Sequence, residues 1–128
     1  MINDKLTPAE RARIRSTLEI RRAALRTEVK AQMEGSGDDR VVGLRNRLEE
    51  TDDWAVADAL AELDLAGLRH ALDELTEVDA ALARVGDDRY GVCTDCSDVI
   101  APARLSAYPT ATRCLECQQA HEAKPAGV

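Results

Sequence analysis

Aromatic residues are scarce in this chain of 128 residues. They make up 2% of it, with one Trp, two Tyr and no Phe, whereas Ala and Leu together fill 35 positions. Ala and Leu lead the helix propensity scale, and strand formers are few. The composition therefore predicts a mainly α-helical fold. The length suffices for one domain, or for an extended element plus a small module, and argues against two independent enzymes.

Long apolar segments and an excess of positive charge are also missing. No stretch approaches the roughly 18 apolar residues of a membrane span, and the charged start MINDKLTPAE lacks the apolar core of a signal peptide. We therefore expect a cytoplasmic protein with no membrane partner. The net charge of −7 opposes autonomous DNA binding. The net charge is −8 over residues 36–86 and +3 over residues 1–35.

A long first helix is predicted from a capping motif. In the sequence Thr7-Pro8-Ala9-Glu10, the side chains of Thr7 and Glu10 are placed to accept hydrogen bonds from each other's backbone amides, and Pro8 suits the first helical position. Gly35 supplies a stop. We therefore predict a helix over residues 8–34. Its apolar residues recur at helical spacings: Ile14, Leu18, Leu25, Val29 and Met33.

The pattern after this helix predicts a second long one. Residues 38–50 fit either a short amphipathic helix or a loop, because Gly43 interrupts their apolar spacing. Thr51, followed by two Asp residues, has the composition of a helix start. An apolar stripe with one phase slip near residues 63–65 then continues to Gly86. This predicts a helix of about 34 residues, roughly 50 Å long.

Neither helix can bury its apolar stripe alone, so an antiparallel helical hairpin, or coiled coil, is the simplest arrangement. The positive first arm and the negative second arm favour that pairing, although exposed ion pairs contribute only about 0–1 kcal/mol each. An ordinary helical bundle is the alternative. We expect two regions: a hairpin over residues 1–86, with its tip around residues 35–55, and a separate module over residues 87–128.

The strongest chemical signal is the spacing of the cysteines. Cys93 and Cys96 form one C-x2-C pair, and Cys114 and Cys117 form another after seventeen residues. Two such pairs can complete a tetrahedron around one Zn²⁺ ion. Two disulfides are the alternative, which a reducing compartment disfavours, and a redox C-x2-C motif would be expected beside a βαβ unit. The sequence therefore predicts a four-cysteine zinc finger.

Four thiolates would close the coordination sphere of the metal. No position remains for an activated water, so we expect a structural ion and no enzyme activity. A short hairpin is predicted to carry the first pair, and a helix from Cys114 to about Ala123 the second. His121 could replace one Cys as a ligand but is more simply an exposed helical residue, and His70 is a surface or seam residue of the second arm.

Three motifs follow one another in residues 89–118: YGxCxxC at 90–96, RLxAxPxA at 104–111 and CxxCQ at 114–118. In this order they resemble the DksA/TraR family of RNA polymerase-binding transcription regulators. The preceding helical hairpin matches the order and chemistry of that family's coiled coil. Ser97 departs from the Gly that the family commonly has after the second Cys. This would strain the metal knuckle if the position requires a positive φ.

The resemblance also implies a site at the hairpin tip, where the family carries an acidic DxxDxA motif. Residues 50–55 match it as ExxDxA: Asp53 and Ala55 agree, and Glu50 replaces the first Asp. The implied action is insertion of the hairpin into the secondary channel of RNA polymerase, with Asp53 near the active centre, which changes the lifetime of promoter complexes. The resemblance leaves open a ppGpp-type alarmone at the complex and the direction of regulation.

Two other functions are compatible with parts of the sequence. A zinc-finger nucleic-acid-binding protein would have basic residues around the metal, whereas residues 87–128 carry −2 and only Arg104 and Arg113 lie inside the finger. A transcript-cleavage-type polymerase cofactor would use paired tip carboxylates, such as Glu50 and Asp53, to recruit a metal. The cysteine module together with the ExxDxA spacing favours the polymerase-binding regulator.

Overall fold

The computed structural model describes residues 6–52, 54–63, 65 and 67–123. Within these ranges the β structure is limited to one antiparallel bridge between Val92 and Val99. The predicted class, a mainly helical hairpin followed by a four-cysteine module, is confirmed. The helices are α1 Pro8–Glu34, α2 Asp39–Thr51, α3 Val56–Glu62, α4 Leu68–Arg84, α5 Pro102–Ala107 and α6 Leu115–Glu122. None of them combines the length and apolar character that crossing a membrane requires.

Helix α1 begins at the predicted capping box. The amide of Thr7 donates to Glu10 Oε1 at 2.9 Å, and the amide of Glu10 donates to Thr7 Oγ1 at 3.1 Å. These two bonds satisfy amides that the helix itself leaves without acceptors. The predicted bounds, residues 8–34, are confirmed. All five residues of the predicted apolar stripe are buried: Ile14, Leu18, Leu25, Val29 and Met33.

The chain forms two compact units. The first comprises Met1–Ile20 and Val78–Val128, and the second comprises Arg21–Glu77. In the first unit, Arg11 Nη1 donates to the carbonyl oxygen of Val85 at 2.5 Å, so the start of α1 lies beside the end of α4. The predicted division at residues 86 and 87 stays a prediction.

In the second unit, α1 and α4 are antiparallel. Arg21 makes a two-pronged ion pair with Glu74, at 2.5 and 2.7 Å, while Gln32, near the end of α1, lies against Gly67 before the start of α4. The core of this unit is formed by buried residues from all four of its helices: Val29, Met33, Val41, Leu48, Val56, Leu60, Leu68, Ala71 and Leu72.

The prediction of one continuous second helix is wrong. Thr51 is the last residue of α2 and does not begin a helix. Asp52 follows in the left-handed conformation, with φ of 51°, and its amide donates to the carbonyl oxygen of Leu48. A second interruption precedes α4, where Gly67 has φ of +80°, a value that residues with side chains rarely adopt. The apolar stripe continues across the second break because α3 and α4 face the same core.

The segment that the sequence left open is helical. Asp38 caps α2, because its side chain accepts a hydrogen bond from the amide of Arg40 at 2.9 Å. Val41 and Leu48 are fully buried in the core of the second unit. Gly43 lies within α2, and a Cβ atom at that position would meet no atom within 4 Å. Burial of the apolar face thus outweighs the low helix propensity of this glycine.

Candidate metal centre

The four cysteine sulfur atoms form one cluster. The Sγ atoms of Cys93, Cys96, Cys114 and Cys117 all lie within 4.8 Å of one another. All four are free thiols, and the Sγ atoms of Cys96 and Cys114 are 3.8 Å apart, far longer than the roughly 2.05 Å of a disulfide bond. The predicted pairs are therefore brought together, and the disulfide alternative is not formed.

A short hairpin presents the first cysteine pair, as predicted. Beside the Val92–Val99 bridge, the amide of Cys93 donates to the carbonyl oxygen of Asp98 at 2.8 Å. The amide of Ser97 in turn donates to the carbonyl oxygen of Cys93 at 3.0 Å. These bonds close a tight knuckle around the two sulfur atoms. Ser97 has φ of 66°, so the position does require the left-handed conformation that favours glycine.

The start of helix α6 presents the second pair. Cys114 is the residue that caps α6, and its Sγ atom accepts a hydrogen bond from the amide of Cys117 at 3.5 Å. Its extended backbone conformation and the following helical turn direct both sulfur atoms to the same end of α6. The predicted helix from Cys114 to about Ala123 is confirmed within one residue at each end. His121 and His70 are exposed helical residues.

Polar contacts join the two halves of the module. The amide of Thr94 donates to the carbonyl oxygen of Thr112 at 2.8 Å. Arg113 Nε pairs with Asp95 Oδ2 at 2.9 Å, and Arg104 Nε donates to the carbonyl oxygen of Arg113 at 3.1 Å. The first two contacts each connect a residue near one cysteine pair with a residue near the other, and the third connects α5 with the residue before Cys114. The two arginines of the finger therefore brace the sulfur cluster, a role that sequence spacing did not reveal.

Helix α5, which the sequence analysis missed, supplies the base of the module. Its residue Leu105 is buried, as are Tyr90 and Ile100, which flank the first cysteine pair. Pro102 at the first turn was the available signal, because proline is preset for that position. A small apolar core thus supports the sulfur cluster, and Cys93 itself belongs to it.

The ionisation of the thiols indicates what the cluster can hold. Burial alone raises the pKa of Cys93, but hydrogen bonds from the backbone amides of Cys96 and Cys114 outweigh it, and the pKa falls to about 6. Hydrogen bonding with the neighbouring thiols of Cys114 and Cys96 raises the pKa of Cys117. Four thiolates this close repel one another unless a cation neutralises them. The donor set fits one tetrahedral zinc ion, with no open ligand position.

The residues assigned to the tip are placed as follows. Glu50 is exposed in the last turn of α2, and Ala55 is exposed in the turn that leads to α3. Asp53 lies outside the described residues. The turn between α2 and α3 thus carries part of the ExxDxA motif on an exposed segment of the second unit.

Comparison with known proteins identifies the sulfur cluster. Residues 88–123 match the family described as the prokaryotic dksA/traR C4-type zinc finger. The fold is similar to the structure of transcription factor DksA2 from Pseudomonas aeruginosa, with a TM-score of 0.56 and 29% identity, covering 90% of this chain and 84% of that one. Residues 88–123 thus form a zinc finger of the dksA/traR type. The cluster is accordingly a C4 zinc site of this family, suited to a single structural ion.

Curated proteins match over shorter segments. A protein of Caulobacter vibrioides called RNA polymerase-binding transcription factor DksA is 46% identical over 48 residues, which are 38% of this chain and 34% of the relative. An uncharacterized 8.2 kDa protein of Escherichia phage P2 is 54% identical over 33 residues, 26% of this chain and 45% of that protein. The matched segments thus span from about a third to somewhat under half of these curated relatives.

Proposed function

We propose that this protein is a zinc-containing transcription regulator that binds RNA polymerase and modulates initiation. The observation that carries the proposal is the cluster of four cysteine sulfur atoms within 4.8 Å, built on a module of the DksA/TraR type. The Caulobacter relative that shares this segment is named as an RNA polymerase-binding factor. The helical hairpin, which accompanies the module here and in the similar DksA2 fold, supplies the second element.

In this proposal Cys93, Cys96, Cys114 and Cys117 are the ligands of one zinc ion. The ion supplies structural cross-linking when bound, because four thiolates leave no coordination site for water or substrate. The chain's own contribution is a knuckle and a capped helix that bring the four sulfur atoms to one point. The protein acts by binding and has no turnover of its own.

The hairpin tip is the proposed effector site. Two helices side by side measure about 20 Å across, so a hairpin can enter a pore that excludes a globular domain. The secondary channel of RNA polymerase is the proposed pore. Glu50, Asp53 and Ala55 would act there, with the Asp53 carboxylate closest to the catalytic metal and basic groups that favour an anion. Guanosine tetraphosphate is a proposed partner at the complex.

Initiation assays with purified polymerase test this proposal. We expect the protein to change the lifetime of promoter complexes, and Asp53→Asn to lose most of this effect while binding polymerase nearly as well. Asp58→Asn, which removes an exposed carboxylate from α3, is the matched control. Reactions with and without guanosine tetraphosphate test the alarmone. Full activity of Asp53→Asn would remove that residue from the mechanism.

The same preparations distinguish the two other functions. A nucleic-acid-binding zinc finger would shift promoter DNA without polymerase, with a steep dependence on salt. A cleavage cofactor would shorten RNA in backtracked complexes. We expect neither activity, because residues 87–128 carry −2 and because the cysteine module together with the ExxDxA spacing favours the regulator. Tight DNA binding alone, or rapid RNA shortening, would replace the proposed function.

A further inference from the structure

Trp54, the one tryptophan of the chain, lies beside two cations of α1. The guanidinium carbon of Arg26 lies 4.6 Å from the centroid of its ring system, and the Nζ atom of Lys30 lies 5.9 Å from it. Arg26 and Lys30 are four residues apart on the helix, so both project from the same face. Both distances fall within the roughly 6 Å over which a cation is attracted by an indole ring.

The same indole is attached to the turn that carries it. Trp54 Nε1 donates a hydrogen bond to Asp52 Oδ1 at 3.2 Å. The half-buried ring packs against the apolar core of the second unit. The carbonyl oxygen of Trp54 accepts from the amide of Ala57 at 3.0 Å, within the first turn of α3. One residue therefore connects the end of α2, the start of α3 and the surface of α1.

The turn that Trp54 anchors contains a residue with an unfavourable backbone conformation. Asp52 is held in the left-handed conformation, which is unfavourable for a residue with a side chain unless its surroundings impose it. Glu50 and Ala55, on either side of the turn, are exposed and carry the proposed effector motif. Their direction relative to α1 depends on where the indole is seated.

We infer that Trp54 is a positioning residue of the tip. Clamped by Arg26 and Lys30 and bonded to Asp52, it fixes the turn between α2 and α3 against α1, and so sets how the acidic motif is presented. The contacts of Trp54 with Arg26, Lys30 and Asp52 are present in this protein without polymerase. Their consequence for transcription rests on the proposed function. The indole does not touch the reacting atoms.

Fluorescence tests the clamp without polymerase, because a single tryptophan reports only on this site. Arg26→Gln is expected to raise the acrylamide quenching constant of Trp54 about twofold and to shift its emission to longer wavelength, since a stacked cation shields the ring face. Arg26→Lys should restore much of the protection. Arg13→Gln, the same change at an exposed position of α1, is the control. Equal quenching in Arg26→Gln, Arg13→Gln and the unaltered chain would overturn the clamp.

Transcription assays test whether the position of Trp54 affects regulation. Trp54→Leu keeps an apolar side chain but loses the cation–π contact, whereas Trp54→Phe keeps an aromatic face. We expect Trp54→Leu to lower the maximal effect on promoter lifetime about threefold to tenfold, a range that such a contact can supply. Polymerase affinity should stay within about twofold, and Trp54→Phe should retain most of the effect. Equal effects of the two variants would overturn the positioning role.

The two experiments separate the two possible failures. If the unaltered chain does not bind polymerase, the proposed function fails and the role at polymerase fails with it, while the quenching result still decides whether the clamp exists. If the chain binds polymerase but Trp54→Leu acts like the unaltered chain, the proposed function survives and the positioning role does not. If Trp54 only stabilised the fold, its replacement would lower the unfolding midpoint. It would not lower the maximal effect on promoter lifetime while leaving the polymerase affinity nearly unchanged.

Discussion

The hydroxyl group of Tyr90 donates a hydrogen bond to the carbonyl oxygen of Pro109 at 2.8 Å. Tyr90 precedes the first cysteine pair and Pro109 precedes the second, so this bond fastens the two halves of the module at its base. The residue is 4% exposed and lies in the small apolar core. The tyrosine thus contributes both apolar burial and a cross-link that is independent of the metal.

Removing this hydroxyl is predicted to weaken the module. Tyr90→Phe leaves the apolar ring in place but deprives the Pro109 carbonyl of its donor, which costs about 1–2 kcal/mol in a buried position. The free energy of unfolding, measured with urea on the zinc-loaded protein, should fall by that amount. Tyr108→Phe, at a half-exposed ring, is the control and should change it by less than about 0.5 kcal/mol. Equal stabilities of the two variants would contradict the cross-link.

The same tyrosine predicts a loss of stability in alkali. Burial raises the pKa of Tyr90 from 10.0 to about 12, against the opposing effect of the nearby Arg84 charge. The unfolded chain therefore releases the phenolic proton first. The resulting contribution to stability is complete below pH 10 and is lost as the pH rises towards 12. Unfolding free energies at pH 9 and pH 11.5 should decrease more steeply for the unaltered chain than for Tyr90→Phe. Parallel decreases would contradict this assignment.

Replacing the strained serine of the knuckle is predicted to stabilise the module. Ser97 has φ of 66°, and its amide must stay in place to donate to the Cys93 carbonyl. Glycine adopts this conformation without a Cβ penalty, so Ser97→Gly should raise the free energy of unfolding by about 0.5–1 kcal/mol. Ser97→Val should lower it by more than that. Thermal unfolding of the zinc-loaded proteins checks the order, and a less stable glycine variant would refute the argument.

Loss of one sulfur ligand is predicted to release the metal. Cys114→Ser removes a proposed zinc ligand and also the soft acceptor at the start of α6. Elemental analysis should give about one zinc per chain for the unaltered protein and far less for this variant. Circular dichroism should show that most of the helical signal of the arms survives. His121→Ala, which changes an exposed residue of α6, is the control and should keep its zinc. Full zinc content in Cys114→Ser would contradict the ligand assignment.

Local signals predicted much of the fold and of the metal site. The capping box and the stop at Gly35 defined α1 because both act within one turn. The cysteine spacing predicted the sulfur cluster because two-residue gaps leave few geometries that bring both sulfur atoms of a pair to one point. The capping box and each cysteine pair act within a few residues of the chain, whereas the meeting of the two pairs was predicted from the chemistry of a four-ligand metal site.

The prediction of one continuous second helix failed because a buried apolar face does not require an unbroken helix. Most residues of the stripe from Val56 to Val85 are buried, but the stripe did not show that the chain turns at Gly67. The composition after Thr51 likewise did not show that a helix ends there and the chain turns at Asp52. Apolar periodicity reports which face is buried, and a helix that ends and restarts can keep that face. The contact between Arg26 and Trp54 depends on the turn at Asp52, so no spacing rule could have predicted it.

Equilibrium binding of the zinc-loaded full chain to core RNA polymerase, with and without a protein that already occupies the secondary channel, tests the central claim most directly. We predict saturable binding of one chain per polymerase, which the occupant of the channel abolishes. Absence of binding, or binding that is unchanged when the channel is occupied, would contradict the account.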